Sequence, residues 1–217
     1  MITNWFDDDP LFNRYYPYQP DYRYYFENEW GIPGHCDERL FEFLSLGGFA
    51  AGLNWALVFN KRAAFRTAFQ NWDIATIAAF DAAHIAHLCH NPHIIRNQRK
   101  INAVVHNARL IQQIQRTQSL EAYLWQQLSY QQLVLNCRHF SELPRTTITG
   151  NQLASHLRQT GFKFVGPVTV NAWLVNTGFI TARPDHQGII QSQVASRLTI
   201  RPLLPPRAPH QFGHFDN

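Results

Sequence analysis

Residues 46–55 read Leu-Gly-Gly-Phe-Ala-Ala-Gly-Leu-Asn-Trp, and this stretch constrains the fold more than any other. Glycine has no side chain, so Gly47, Gly48 and Gly52 let other segments approach closely and leave a hollow beside the Trp55 ring. Gly-containing turns are expected on either side of Phe49, with a helix opening at Trp55 and running to about Gln70. From Asp37 onward, Leu40, Phe43 and Leu44 recur at the spacing of one buried helix face. Further helical patterns cover about residues 74–88, 97–116, 119–132, 150–160 and 166–178, with no convincing alternating strand between them. The expected fold class is therefore all-α. At 217 residues and 45% hydrophobic content, the chain can bury one substantial core.

The two ends have a different texture. The first thirty residues carry Trp5, Phe6, Phe12, Tyr15, Tyr16, Tyr18, Tyr22, Tyr24, Tyr25, Phe26 and Trp30, interrupted by Pro10, Pro17 and Pro20. Proline disfavours helix at and before its own position, so residues 1–36 are read as a mostly non-helical aromatic arm packed over the domain. Residues 37–183 form the helical domain. Pro184, Pro202, Pro205, Pro206 and Pro209 mark residues 184–217 as an extended tail, with room for a short strand or helix near 192–204.

Charge is segregated. Residues 1–42 hold nine acids and three arginines, a balance of −6 within an overall +4, so the remainder carries +10. Windows 82–120 and 143–184 contain no acid; the first holds Arg96, Arg99, Lys100, Arg109 and Arg116, the second Arg145, Arg158, Lys163 and Arg183. Unrelieved positive charge suits a polyanion such as DNA, the alternative being a solvated basic face. Three widely spaced cysteines argue against a disulfide framework, and no apolar run is long enough to span a membrane. The acidic N-terminus lacks the pattern of a secretory signal, which predicts a cytoplasmic protein.

Several blocks together resemble the DNA-3-methyladenine glycosylase I family of helix-hairpin-helix DNA glycosylases. They are Tyr25-Phe26-Glu27-Asn28-Glu29-Trp30-Gly31-Ile32-Pro33; Leu40-Phe41-Glu42 with Ala51-Gly52-Leu53-Asn54-Trp55 and Lys61-Arg62; Ile94-Ile95-Arg96-Asn97-Gln98-Arg99-Lys100-Ile101 with Asn107-Ala108-Arg109; and Gly161-Phe162-Lys163-Phe164-Val165-Gly166. The resemblance implies a two-lobed helical fold that extrudes a damaged base from double-stranded DNA into an aromatic pocket. It implies hydrolysis of the N-glycosidic bond, without cofactor or lyase chemistry, by a monomer. Trp55 would stack on the base, Tyr25, Trp5, Trp30, Gly47 and Asn54 would line the pocket, with Trp30 read as core as readily as pocket, and Arg96, Asn97, Arg99, Lys100 and Lys163 would hold DNA phosphates. No lysine lies near residues 46–55 in sequence to act as a lyase nucleophile.

Two departures stand out. The family's zinc ligands match Thr3, Phe26, Arg183 and a residue near Gln187, a set unable to bind zinc, so no metal is expected. The family's base-binding glutamate is Gly47, with Glu42, five residues upstream, pointing elsewhere. Catalysis without that acid is one expectation; a DNA-binding homologue without activity, or an interaction module using the aromatic arm, are the others. His84, His87, His90 and His93 recur every third residue and are read as a polar face rather than a metal site.

Overall fold

The computed structural model describes residues 19–32, 36–137, 140–182 and 199–202. Ten helices dominate: α1 (Pro20–Asn28), α2 (Asp37–Ala50), α3 (Trp55–Phe59), α4 (Arg62–Ala68), α5 (Ile74–Ala78), α6 (Ala82–His90), α7 (Gln98–Ile114), α8 (Leu120–Gln127), α9 (Ile148–Gln159) and α10 (Pro167–Asn176). Helix α2 is the central one. Leu40, Phe41, Phe43, Leu44, Leu46 and Phe49 are all buried on it, so apolar residues face neighbours on every side, as in a helix enclosed by others. The indole Nε1 of Trp173 on α10 donates to the Leu40 carbonyl at 2.9 Å, deep in the core.

Side-chain caps define where most of these helices begin. Asn54, Asp73, Asp81, Asn97, Ser119 and Thr147 each accept a backbone N–H from the first turn of α3, α5, α6, α7, α8 and α9. Such a bond satisfies one of the orphan donors of a helix start. Asp37 works at longer range, its carboxylate accepting from the amides of Leu120 and Glu121 and fastening the start of α2 to that of α8. Helices α9 and α10 pack so closely at Gly150 that a Cβ there would lie 2.7 Å from Asn171 Oδ1.

Several expectations are corrected. The glycine pair does not form a turn: Gly47 and Gly48 lie inside α2, and the turn falls at Ala51-Gly52-Leu53, where Gly52 has φ +77°. Pro20 starts α1 rather than preventing it, because its missing N–H is one that a first helical turn leaves unpaired anyway. The helix expected from Trp55 to Gln70 is two helices and a left-handed turn at Gln70, Asn71 and Trp72 (φ 50°, 52° and 66°). The break at Asn60 and Lys61 lets Trp55 and Arg62 both reach α1 and α2. A second break precedes Asp81, which recaps the chain as α6.

The chain also carries a small sheet: its first two strands were not expected, while its third falls within residues 192–204, where a short strand or helix was allowed. Strand β1 (Gln131–Val134) lies between β2 (Ile180–Thr181), parallel to it, and β3 (Thr199–Pro202), antiparallel, with Leu133 level with Ile180 and Ile200. Two residues of left-handed backbone, Ser129 and Tyr130, end the preceding helix and turn into β1. Four residues cannot display a readable alternation, which is why the segment resembled a continuation of α8.

Candidate active site

Trp55 opens α3, held there by the Asn54 cap, whose Oδ1 accepts from Ala56 N at 2.8 Å. The Asn54 oxygen is thus committed to placing Trp55. The half-buried indole lies 6.0 Å from the Phe59 ring and 6.2 Å from the Tyr25 ring. Tyr25, from α1, also packs on Phe59 at 4.7 Å and on Phe43 of α2 at 5.7 Å. Phe43 and Gly47 are four residues apart on α2 and share a face, so Gly47 sits one turn along from the ring that meets Tyr25. A Cβ on Gly47 would meet the methyl group of Thr169, on α10, at 3.3 Å. Tyr25, Phe43, Gly47, Trp55 and Thr169 therefore converge from four helices. The Tyr25 hydroxyl is buried without a hydrogen-bond partner, and burial pushes its pKa well above the ordinary phenol value.

An ion lattice underlies this aromatic corner. Arg62 donates to Glu42 at 2.9 and 3.0 Å and to Glu29 at 2.7 and 3.1 Å, while Arg66 adds two bonds to Glu42 at 2.7 and 3.0 Å. The Arg62 guanidinium lies 5.1, 5.4 and 5.8 Å from the ring centroids of Phe43, Phe59 and Tyr25, so the rings rest on it. Burial raises the Glu42 pKa, but hydrogen bonds from both arginines outweigh it and leave the carboxyl below its usual range. Glu42 is thus consumed by structure and is not a substitute for an acid at position 47, as its place on the helix suggested.

Residues 91–97 connect α6 to α7. Lys61 Nζ donates to the His93 carbonyl at 3.0 Å. Lys100 Nζ donates to Phe49 O at 2.7 Å and Ala51 O at 2.6 Å, neutralising the negative end of α2. Two lysines thereby tie α3 and its flanks to the α6–α7 region: Lys61, just after α3, to the connection, and Lys100, on α7, to the turn that presents Trp55. This revises the expectation for Lys100, which is only 8% exposed and faces inward, its pKa lowered by burial. It also places a lysine beside residues 46–55, which sequence distance had hidden; its ammonium is engaged by both carbonyls. Arg96, Arg99 and Lys163 are exposed, and Asn97 is exposed but uses its side chain as the α7 cap. The Lys163 loop is clamped to α7 by Asn107, which donates to Lys163 O and accepts from Lys163 N.

Other expected site residues fall elsewhere. Trp30 is core, 2% exposed, its indole N–H bonded to Asn176 Oδ1 at 3.0 Å; it braces α1 against α10 rather than lining a pocket. Trp5 lies outside the described residues, as do Thr3, Arg183 and Gln187. Phe26, the remaining residue matched to a zinc ligand, is a buried ring packed edge-on against Tyr22, which does not fit a metal site. His84, His87, His90 and His93 are all exposed, and among the described residues no three metal-binding side chains cluster. Phe43, Phe59 and Thr169 were not foreseen, although the spacing of Phe43 from Gly47 was readable as a shared helix face.

A family model described as methyladenine glycosylase matches residues 15–187. DNA-3-methyladenine glycosylase 1 of Escherichia coli (strain K12) is 31% identical over 183 residues, covering 84% of this chain and 91% of the relative. A DNA-3-methyladenine glycosylase of Haemophilus influenzae is 29% identical over 163 residues, covering 75% and 86%. A crystal structure of 3-methyladenine DNA glycosylase I superposes with a TM-score of 0.71 at 31% identity, covering 83% of this chain and 94% of that one. The Staphylococcus aureus 3-methyladenine DNA glycosylase I, solved to explain 3-methyladenine recognition, gives 0.72 at 31% identity, covering 78% and 90%.

Proposed function

The chain belongs to the methyladenine glycosylase family, and from that premise we propose that it hydrolyses the N-glycosidic bond of N3-alkylated purines flipped out of double-stranded DNA. The observation that carries this reading is the meeting of Trp55, Tyr25 and Gly47 beside a turn pinned by Lys100. An N3-methylated adenine is cationic, so the indole and phenol faces attract it, at about 0.5–2 kcal/mol per contact. It is also a good leaving group. The bond from C1′ to the base breaks with both electrons on the base, and water adds at C1′ and loses a proton. Arg96, Arg99 and Lys163 would hold phosphates around the lesion, positioning the duplex without reading its sequence. We read the protein as a cytoplasmic monomer needing no cofactor.

The test is incubation with methylated duplex DNA and chromatography of the bases set free. Release supports the enzyme; salt-sensitive binding without release points to the second reading, a DNA-binding homologue, which Gly47 favours. Gly47→Glu should raise the release rate about tenfold or more, since a hydrogen bond to a charged group contributes about 1.5–3 kcal/mol. The new Cβ fits if the Thr169 methyl yields by a few tenths of an ångström. An unchanged rate in this variant contradicts a base-binding role for the position. Replacing Arg96 and Arg99 together by alanine should weaken duplex binding uniformly across sequences and lower the salt slope by about one per residue. A slope that does not move removes both from the interface.

A further inference from the structure

A cavity of about 390 Å³ opens between the end of α8, β1 and α9, and it shares no residue with the Trp55 corner. Small-molecule sites occupy about 300–1,000 Å³, so this one has room for a single small ligand. Gln127, Ser129, Gln131, Thr149 and Gln152 supply its polar lining, and none of these five side chains makes a hydrogen bond among the described residues. Its apolar part comes from Leu128, Leu133 and Leu153, all buried. No Asp, Glu, Lys or Arg lines it. Local structure brings these groups together. Ser129 and Tyr130 adopt left-handed backbone (φ 52° and 55°) and turn the chain from α8 into β1, so Gln127, Ser129 and Gln131 border the cavity from one side. On α9, Thr149, Gln152 and His156 are three and then four residues apart and so share one face. His156 Nε2 lies 2.8 Å from the Tyr123 hydroxyl, which ties the ring to α8 and leaves Nδ1 as the nitrogen open to a ligand.

We propose that this cavity is a second binding site, for an uncharged nucleobase whose edge sets a hydrogen-bond donor beside an acceptor, as unmethylated adenine does. A carboxamide carries both kinds of group and closes a two-bond ring with such an edge, the pairing by which glutamine reads adenine N6 and N7. Three carboxamides and two hydroxyls supply partners for the rim of a flat heterocycle, and the leucines supply an apolar surface for its face. Charge separates this site from the Trp55 corner. An anion finds no Lys or Arg in the lining, and a cation finds neither a carboxylate nor the face of a Phe, Tyr or Trp ring. The cavity thus suits a neutral base, where the indole and phenol of the other site suit a cationic one. The same edge is offered by free adenine and by an unpaired adenine in a DNA strand.

The experiment titrates the full chain with free adenine and follows the ring C–H signals of His156 by nuclear magnetic resonance, assigned by their loss in His156→Gln. These signals should shift saturably, in the wild type and in Trp55→Ala alike. Gln152→Leu removes one carboxamide and should weaken binding about tenfold or more. N6,N6-dimethyladenine, which lacks the donor at position 6, should bind about tenfold or more weakly as well. Glucose has donors and acceptors but no planar edge and should leave the signals in place. A parallel titration with a short single strand of deoxyadenosines separates the sources: a shift with adenine alone assigns the free base, and a shift with the strand assigns an unpaired base of DNA. Thermal melting of each variant separates loss of binding from loss of fold. No saturable shift with either probe overturns the proposal, as does a response that Gln152→Leu leaves unchanged or that glucose reproduces. A shift that vanishes in Trp55→Ala also overturns it, while leaving the Trp55 corner standing as the base site.

Discussion

Trp55→Ala should slow release of alkylated purine about five- to hundredfold while the protein stays folded. Stacking of a base on an aromatic side chain is worth about 1–3 kcal/mol, and each 1.4 kcal/mol is about tenfold. Trp55 suits this loss because it is half-buried, with part of its ring at the surface while the remainder leans on Phe59 and Tyr25. Its neighbours on the core side, Ala56, Val58 and Phe59, are buried and would hold α3 in place without it. Trp55→Phe retains a stacking face and should lose much less. Initial rates on methylated duplex DNA, with folding followed by circular dichroism, decide the matter. A Trp55→Ala protein as fast as the wild type would remove this ring from the site.

Glu42→Ala should cost about 3–5 kcal/mol of folding stability, the usual result of removing one partner from a buried ion pair. Glu42 takes four bonds, two from Arg62 and two from Arg66, and its side chain is only 4% exposed. Without it Arg62 keeps Glu29 alone, and the guanidinium supporting Phe43, Phe59 and Tyr25 loses half its anchor. The pH dependence follows from the lowered Glu42 pKa. A carboxyl with a depressed folded pKa contributes stability that is complete above its unfolded value, about 4.3. That contribution is lost as pH falls through the folded value. Acidification from pH 6 through that range should therefore destabilise the wild type more steeply than Glu42→Ala. Urea unfolding across this range measures both effects; a loss under about 1 kcal/mol at pH 7 would show that the lattice is not holding the corner together.

The helices were legible because their signals are local. The run Leu40, Phe43, Leu44 and the cap residue Asn97 each announce themselves within a single turn. What stayed hidden depends on distance. Lys100 read as one more basic residue of a hairpin because nothing nearby in sequence shows that its ammonium reaches the carbonyls of Phe49 and Ala51. Trp30 was open to both a pocket and a core reading, and the structure bears out the core one; sequence could not decide because its partner, Asn176, is 146 residues away. The breaks at Asn60 and before Asp81 were missed because apolar spacing continues across them while the chain changes direction. Glu42 could be assigned outside the pocket from helix geometry alone, but the two arginines that occupy it could not be inferred that way. Gly47 was recognisable as an absent side chain, whereas the Thr169 methyl beside it comes from a helix more than a hundred residues later.

The central claim is that the corner of Trp55 and Tyr25 receives an alkylated base, and nuclear magnetic resonance of the six indole N–H groups during titration with free 3-methyladenine tests it most directly. The Trp55 signal, assigned by its disappearance in Trp55→Phe, should shift saturably, while that of Trp173, bonded to Leu40 O in the core, stays in place. Saturation with the Trp55 indole unmoved would contradict the claim.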